Sequence, residues 1–89
     1  MYPTPDSIRT NKALVTATGT VKSGRGRLAG FYVNSTTGGT LVLHDATSAA
    51  NAFTGTITPA IGWHPFPVNF TTGLHVVVAN TISVTFVYD

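Results

Sequence analysis

Residues 58–79 constrain the fold of this chain more than any other stretch. Pro59, Pro65 and Pro67 fall among Trp63, His64, Phe66, Val68 and Phe70, and after Thr71-Thr72-Gly73 comes the apolar run Leu74-His75-Val76-Val77-Val78-Ala79. Proline has no amide proton for a ladder, so residues 63–70 belong at a sheet edge or on a bulge. Alternation sets His64, Phe66, Val68 and Phe70 on one face and Trp63, Pro65, Pro67 and Asn69 on the other. Within residues 74–79, Val76 to Val78 are apolar on both faces, the pattern of a strand covered on both sides.

Period two recurs along the chain. Ala13, Val15, Ala17, Gly19 and Val21 share a face, opposed by Leu14, Thr16, Thr18, Thr20 and Lys22. Further strands are predicted at 28–33, 40–44, 53–58, 63–70, 74–79 and 82–88. Turns are expected at 23–27 and 34–39, a loop at 45–52, and a two-residue hairpin at Asn80-Thr81. Ile82, Val84, Phe86 and Tyr88 should point inward. Seven short strands with this turn spacing predict an all-β fold, a small antiparallel β-sandwich or jelly-roll-like barrel. Residues 1–12, with Pro3 and Pro5, read as an extended N-terminal arm ahead of a domain at 13–89.

Composition bears on how such a domain survives. The chain has 89 residues, 43% hydrophobic but only 9% charged, with no cysteine, glutamate or glutamine. Ordinary domains carry about 25% charged residues. A chain this short buries only about 60–65% of its unfolded surface. With no disulfide or thiolate metal site to add stability, association with other chains is the expected remedy, and a neighbouring subunit is expected to hold the arm. The five basic residues, Arg9, Lys12, Lys22, Arg25 and Arg27, all precede residue 28 and give a net charge of +2. No apolar run is long enough to cross a membrane as a helix. The leading residues lack the charged and apolar regions of a secretory signal, so none is expected.

Reaction chemistry is hard to assemble from these residues. Hydrolysis by paired carboxylates needs two acids about 5–10 Å apart; the chain has Asp6, in the arm, Asp45, and Asp89 at the last position. His44, His64 and His75 lie on different predicted strands and read as structural or rim histidines, not as a zinc site. Lys22, Arg25 and Arg27 surround a glycine turn that lacks the length and lysine of a phosphate-binding loop. Three charges without stacking aromatics argue against nucleic acid. Trp63 and Tyr32 are candidates for stacking on a sugar, although interface or core packing is the commoner use of such side chains. Asn34-Ser35-Thr36 matches a glycosylation sequon and reads as a turn. No catalytic residue, metal or cofactor is expected.

Two runs carry a resemblance. One is Gly24, Gly26, Leu28, Gly30, Tyr32-Val33-Asn34-Ser35, continued by Gly39-Thr40-Leu41 and Leu43-His44-Asp45. The other is Thr58-Pro59, Gly62-Trp63-His64, Pro67-Val68, Phe70 and Gly73-Leu74. Together they resemble the small β-sandwich virion proteins of tailed bacteriophages, over most of residues 20–89 and not in the arm. The resemblance implies a non-enzymatic structural role on the particle, foremost capsid decoration (cement). The protein would self-associate as a trimer or dimer and dock on the major capsid protein. Expected partner contacts are Tyr2, Pro3, Pro5, Arg9 and Lys12 from the arm, Arg25 and Arg27 from the basic turn, and Trp63. The alternative is a receptor- or glycan-binding module of a fibre or tail.

Overall fold

A computed structural model describes residues 11–89. The expectations for Tyr2, Pro3, Pro5 and Arg9 therefore lie outside the described residues. Among the described residues there are five strands and no helix: β1 (Asn11–Val15), β2 (Gly19–Ser23), β3 (Gly26–His44), β4 (Gly62–Phe70) and β5 (Gly73–Tyr88). Every pairing is antiparallel, in the order β1-β5-β3-β4, and β2 also pairs with β5.

Five strands replace the expected seven because two predicted turns do not reverse the chain. Residues 34–39 and Asn80-Thr81 stay within β3 and β5, which pair with each other from Leu28↔Tyr88 to His44↔His75. Both sites have the backbone that a turn would need, with φ of 63° at Gly38 and 62° at Asn80. They lie opposite one another: Gly38 pairs with Thr81, and Asn80 Nδ2 donates to Gly38 O at 2.9 Å. Two local kinks thus merge into one bend of a two-stranded ribbon. The bend is geometrically required, since a straight 19-residue strand spans about 60 Å and the longest dimension of the molecule is 45 Å.

The bend divides the sheet into two halves. In the first, β1, the end of β5, the start of β3 and β4 lie side by side. In the second, β2, the start of β5 and the end of β3 do so. The expected strand at 53–58 contributes only one isolated bridge to this second half, Leu41↔Ile57; a second, His44↔Ala52, comes from the end of the expected loop. The predicted strand at 13–22 is likewise broken at 16–18, where the chain passes from one half to the other. Thr18 Oγ1 bridges that gap, accepting from Val78 N at 2.9 Å and donating to Val78 O at 3.3 Å. β1 begins at Asn11, two residues before the expected domain boundary.

One core serves both halves. Val15, Leu28, Phe31, Val33, Leu41, Leu43, Phe70, Leu74, Val76, Ile82, Val84 and Phe86 form a single buried cluster. Burying each is worth about 1.5–3 kcal/mol in transfer free energy. The inward residues of β5 keep even numbers through the bend, as the alternation predicts; Tyr88, the last of them, is only partly buried. In β3 the parity changes between Leu28 and Phe31, because Ala29 is an extra residue against β5. The run at 74–79 is less enclosed than expected: Leu74 and Val76 are buried, but Val77 and Val78 are only partly so. β4 matches expectation on both counts. It is an edge strand, and Phe66 and Pro67 bulge opposite Ala29.

A candidate docking face on the sheet

The register of the first half lines up four side chains. Leu14 is opposite Thr85, Thr85 opposite Tyr32, and Tyr32 opposite Trp63. Directly paired residues point to the same side of a sheet. Their chain neighbours Val15, Val84, Phe86, Phe31 and Val33 point into the core, so this row faces outward. Leu14 is 67% exposed, Tyr32 46% and Trp63 48%. At about 4.8 Å per strand the row is about 14 Å long. Ile61, also exposed, precedes Gly62 at the start of β4.

The row is backed by fixed neighbours. The next row is Lys12, Val87, Gly30 and Pro65. A Cβ on Gly30 would come within 2.7 Å of Trp63 Cη2 and 2.5 Å of His64 O. The missing side chain at Gly30 is what lets the indole rest against β3. His64, pointing the other way, stacks on Phe31 at 5.2 Å between ring centres, and its Nε2 is 2.7 Å from Ala60 O. This contact ties the segment carrying Ile61 to the core. Asn34 Nδ2 donates to Thr85 Oγ1 at 3.1 Å and to Ser83 Oγ at 3.5 Å, giving the row a polar margin.

Of the residues expected to contact partners, Lys12, Arg27 and Trp63 share this outer face. Arg25 lies in the turn beyond its end and is exposed. Arg27 Nη2 pairs with Asp89 Oδ2 at 2.9 Å, and Lys22 Nζ donates to Asp89 O at 3.1 Å. Two of the three cations of the basic cluster therefore already contact Asp89, Arg27 through its side-chain carboxylate and Lys22 through its main-chain oxygen. An open cleft lined by Arg25, Arg27, Asn69, Phe70, Thr71 and Asp89 adjoins it. Alternation sets Leu14 on one face with Thr16, Thr18, Thr20 and Lys22. The readable signal was a lone leucine in a row of threonines, conspicuous only once Tyr32 and Trp63 are known to adjoin it.

The titratable side chains of the second half are turned to internal bonding. His44 and His75 are cross-strand partners with ring centres 5.9 Å apart. His44 Nδ1 lies 3.1 Å from Ala50 O, and its buried Nε2 has no partner among the described residues. His75 Nδ1 lies 2.9 Å from Thr20 Oγ1. His64 belongs to the other half, and no group of three metal-ligating side chains converges among the described residues. Asp45 receives the amides of Thr72 at 2.8 Å, Thr71 at 3.0 Å and Gly73 at 3.4 Å. These donors, Thr72 foremost, hold its carboxyl below the usual carboxylate range. Nothing local in the sequence pairs Asp45 with a turn 26 residues away. No family model, curated protein or solved structure matches this chain.

Proposed function

We propose that this chain is a non-enzymatic structural protein of a virion, a capsid decoration protein of the kind found on tailed phages. It self-associates and docks on the major capsid protein through the outer face of the first half-sheet. The observation that carries the reading is the continuous row Leu14–Thr85–Tyr32–Trp63 on a chain with only 9% charged residues. Tryptophan and tyrosine dominate the energetic centres of protein interfaces, and charged residues are depleted there. Lys12 and Arg27 lie on the same face, where charge steers approach and register. The acids Asp45 and Asp89 are each taken up by structural contacts, which favours a binding role over acid–base chemistry. The shared bend and single core also support reading the sheet as a sandwich whose leaves are its two halves.

The test is sedimentation of the purified full chain with capsids stripped of it. Replacing both Tyr32 and Trp63 by alanine should weaken decoration by about 30-fold or more, the loss of at least one hot spot of about 2 kcal/mol. Wild-type occupancy by the folded double variant would overturn the reading. A glycan-binding module is the second reading. It is favoured by the adjacency of two exposed aromatic rings to the hydroxyl and amide groups of Thr85, Ser83 and Asn34. Specific signals on a glycan array, lost in Trp63→Ala, would select it.

A further inference from the structure

We propose that the outer aromatic face is a receptor for an extended proline segment, and that its resident occupant is Tyr2-Pro3-Thr4-Pro5 of the same chain. The inference rests on the reading of this face as a docking surface and adds how it is kept covered. Pro3 and Pro5 fix their own φ and restrict Tyr2 and Thr4 before them, so four consecutive residues favour polyproline II. Such segments bind aromatic surfaces well because little conformational freedom remains to be lost. Tyr32 and Trp63, adjacent and about half exposed, with Gly30 and Pro65 beside them, form that kind of surface.

Reach and charge favour the chain's own segment. Asn11 starts β1 opposite Tyr88, on the edge of the same half-sheet. Tyr32 is about 10 Å along and 10 Å across from that point, and Trp63 one strand further, about 14 Å and 17 Å away on the diagonal. Pro5 stands six positions before Asn11, about 19 Å of extended chain, and Tyr2 nine positions before it, about 28 Å. Both aromatic side chains are therefore within reach, with chain left for a turn. Asp6 would then cross the strip that holds Lys12, while Arg27, on the same face, is already paired with Asp89. Tethering gives an effective concentration in the millimolar range, far above that of a second copy in dilute solution.

Trp63 is the sole tryptophan, so its fluorescence reports occupancy directly. Acrylamide quenching should be compared between the full wild-type chain and a full-length variant carrying Tyr2→Ser, Pro3→Gly and Pro5→Gly, with no capsid present. None of the three positions belongs to the buried cluster of the described residues, and circular dichroism of the variant checks that its fold is retained. For a site whose Kd is about equal to the tether's effective concentration the face is covered about half of the time, and quenching should then rise about twofold in the variant at every protein concentration. Equal quenching in both proteins would overturn the proposal. So would wild-type protection that disappears on dilution, because the occupant would then be a second copy. Neither result depends on capsid binding, so each is separable from failure of the decoration reading.

Discussion

The half-sheet that carries Trp63 and the half-sheet that carries His44 are built from the same two long strands but completed differently. The first is flanked on both sides by ladders, β1 and β4. The second has β2 on one side, with a register shift after Thr20, and on the other a segment that touches β3 at two bridges. Side chains fill the gaps there. Thr54 Oγ1 accepts from Leu43 N at 3.0 Å, and Asp45 collects the amides of the turn between β4 and β5. A complete ladder leaves its outward side chains without a structural task, and in the first half these are Leu14, Tyr32 and Trp63. An incomplete ladder recruits its polar side chains to satisfy the backbone, leaving fewer to face a partner.

The comparison is broken most forcefully through the shared core. Phe86→Ala in the first half should cost about 3–5 kcal/mol and Leu41→Ala in the second about 2–5. Against a total stability of about 5–15 kcal/mol, either brings the chain near unfolding. Because one cluster spans both halves, circular dichroism and Trp63 emission should lose their native signals together in both variants. A Leu41→Ala protein that loses ordered strand while keeping the native Trp63 transition would mean that the halves are independent.

Smaller changes separate the two styles of construction. Gly30→Ala puts a methyl group against Trp63 and the His64 carbonyl. It should cost about 1–3 kcal/mol by overpacking and shift Trp63 emission, because the indole must move. Thr54→Val withdraws the acceptor of the Leu43 amide, for about 1–2 kcal/mol by chemical denaturation, with Trp63 emission unchanged. A change in emission from Thr54→Val would erase the distinction between the halves.

Asp45→Asn should give the smallest shift at neutral pH, because the amide oxygen still accepts from the turn. Its signature is pH dependence. The folded carboxyl sits below its ordinary value, so its stabilisation is complete above about pH 4 and fades as pH falls through the lowered folded value. The difference in melting temperature between wild type and Asp45→Asn should therefore close under acid conditions. A gap that persists at the lowest pH would mean that the carboxylate charge is not what the turn uses.

The sequence was most legible where one residue type allowed few outcomes. The prolines at 65 and 67 confined β4 to an edge with a bulge, and alternation identified its two faces residue by residue. Even numbering on β5 placed Ile82, Val84 and Phe86 in the core. The bend was not legible. Asn80 and the glycines at 38 and 39 have the backbone freedom that a hairpin requires, and they use positive φ at Gly38 and Asn80. Whether such a kink reverses a strand or bends it is decided by the partner strand, which lies about 40 residues away in sequence. The 53–58 alternation misled for a related reason: Thr54 hydrogen-bonds through its side chain, and the backbone leaves the ladder around Gly55. The docking row was only half legible. Trp63 and Tyr32 were separate candidates, but their adjacency to each other and to Leu14 is a property of register.

The ribbon of β3 and β5 has no loop of its own from which to start. Its innermost rung joins His44 to His75 and its outermost joins Leu28 to Tyr88. Even the first rung must close a loop of roughly thirty residues before any neighbouring rung rewards it, which slows folding. A growing polypeptide leaving the ribosome holds most of its sheet in abeyance until β5 emerges.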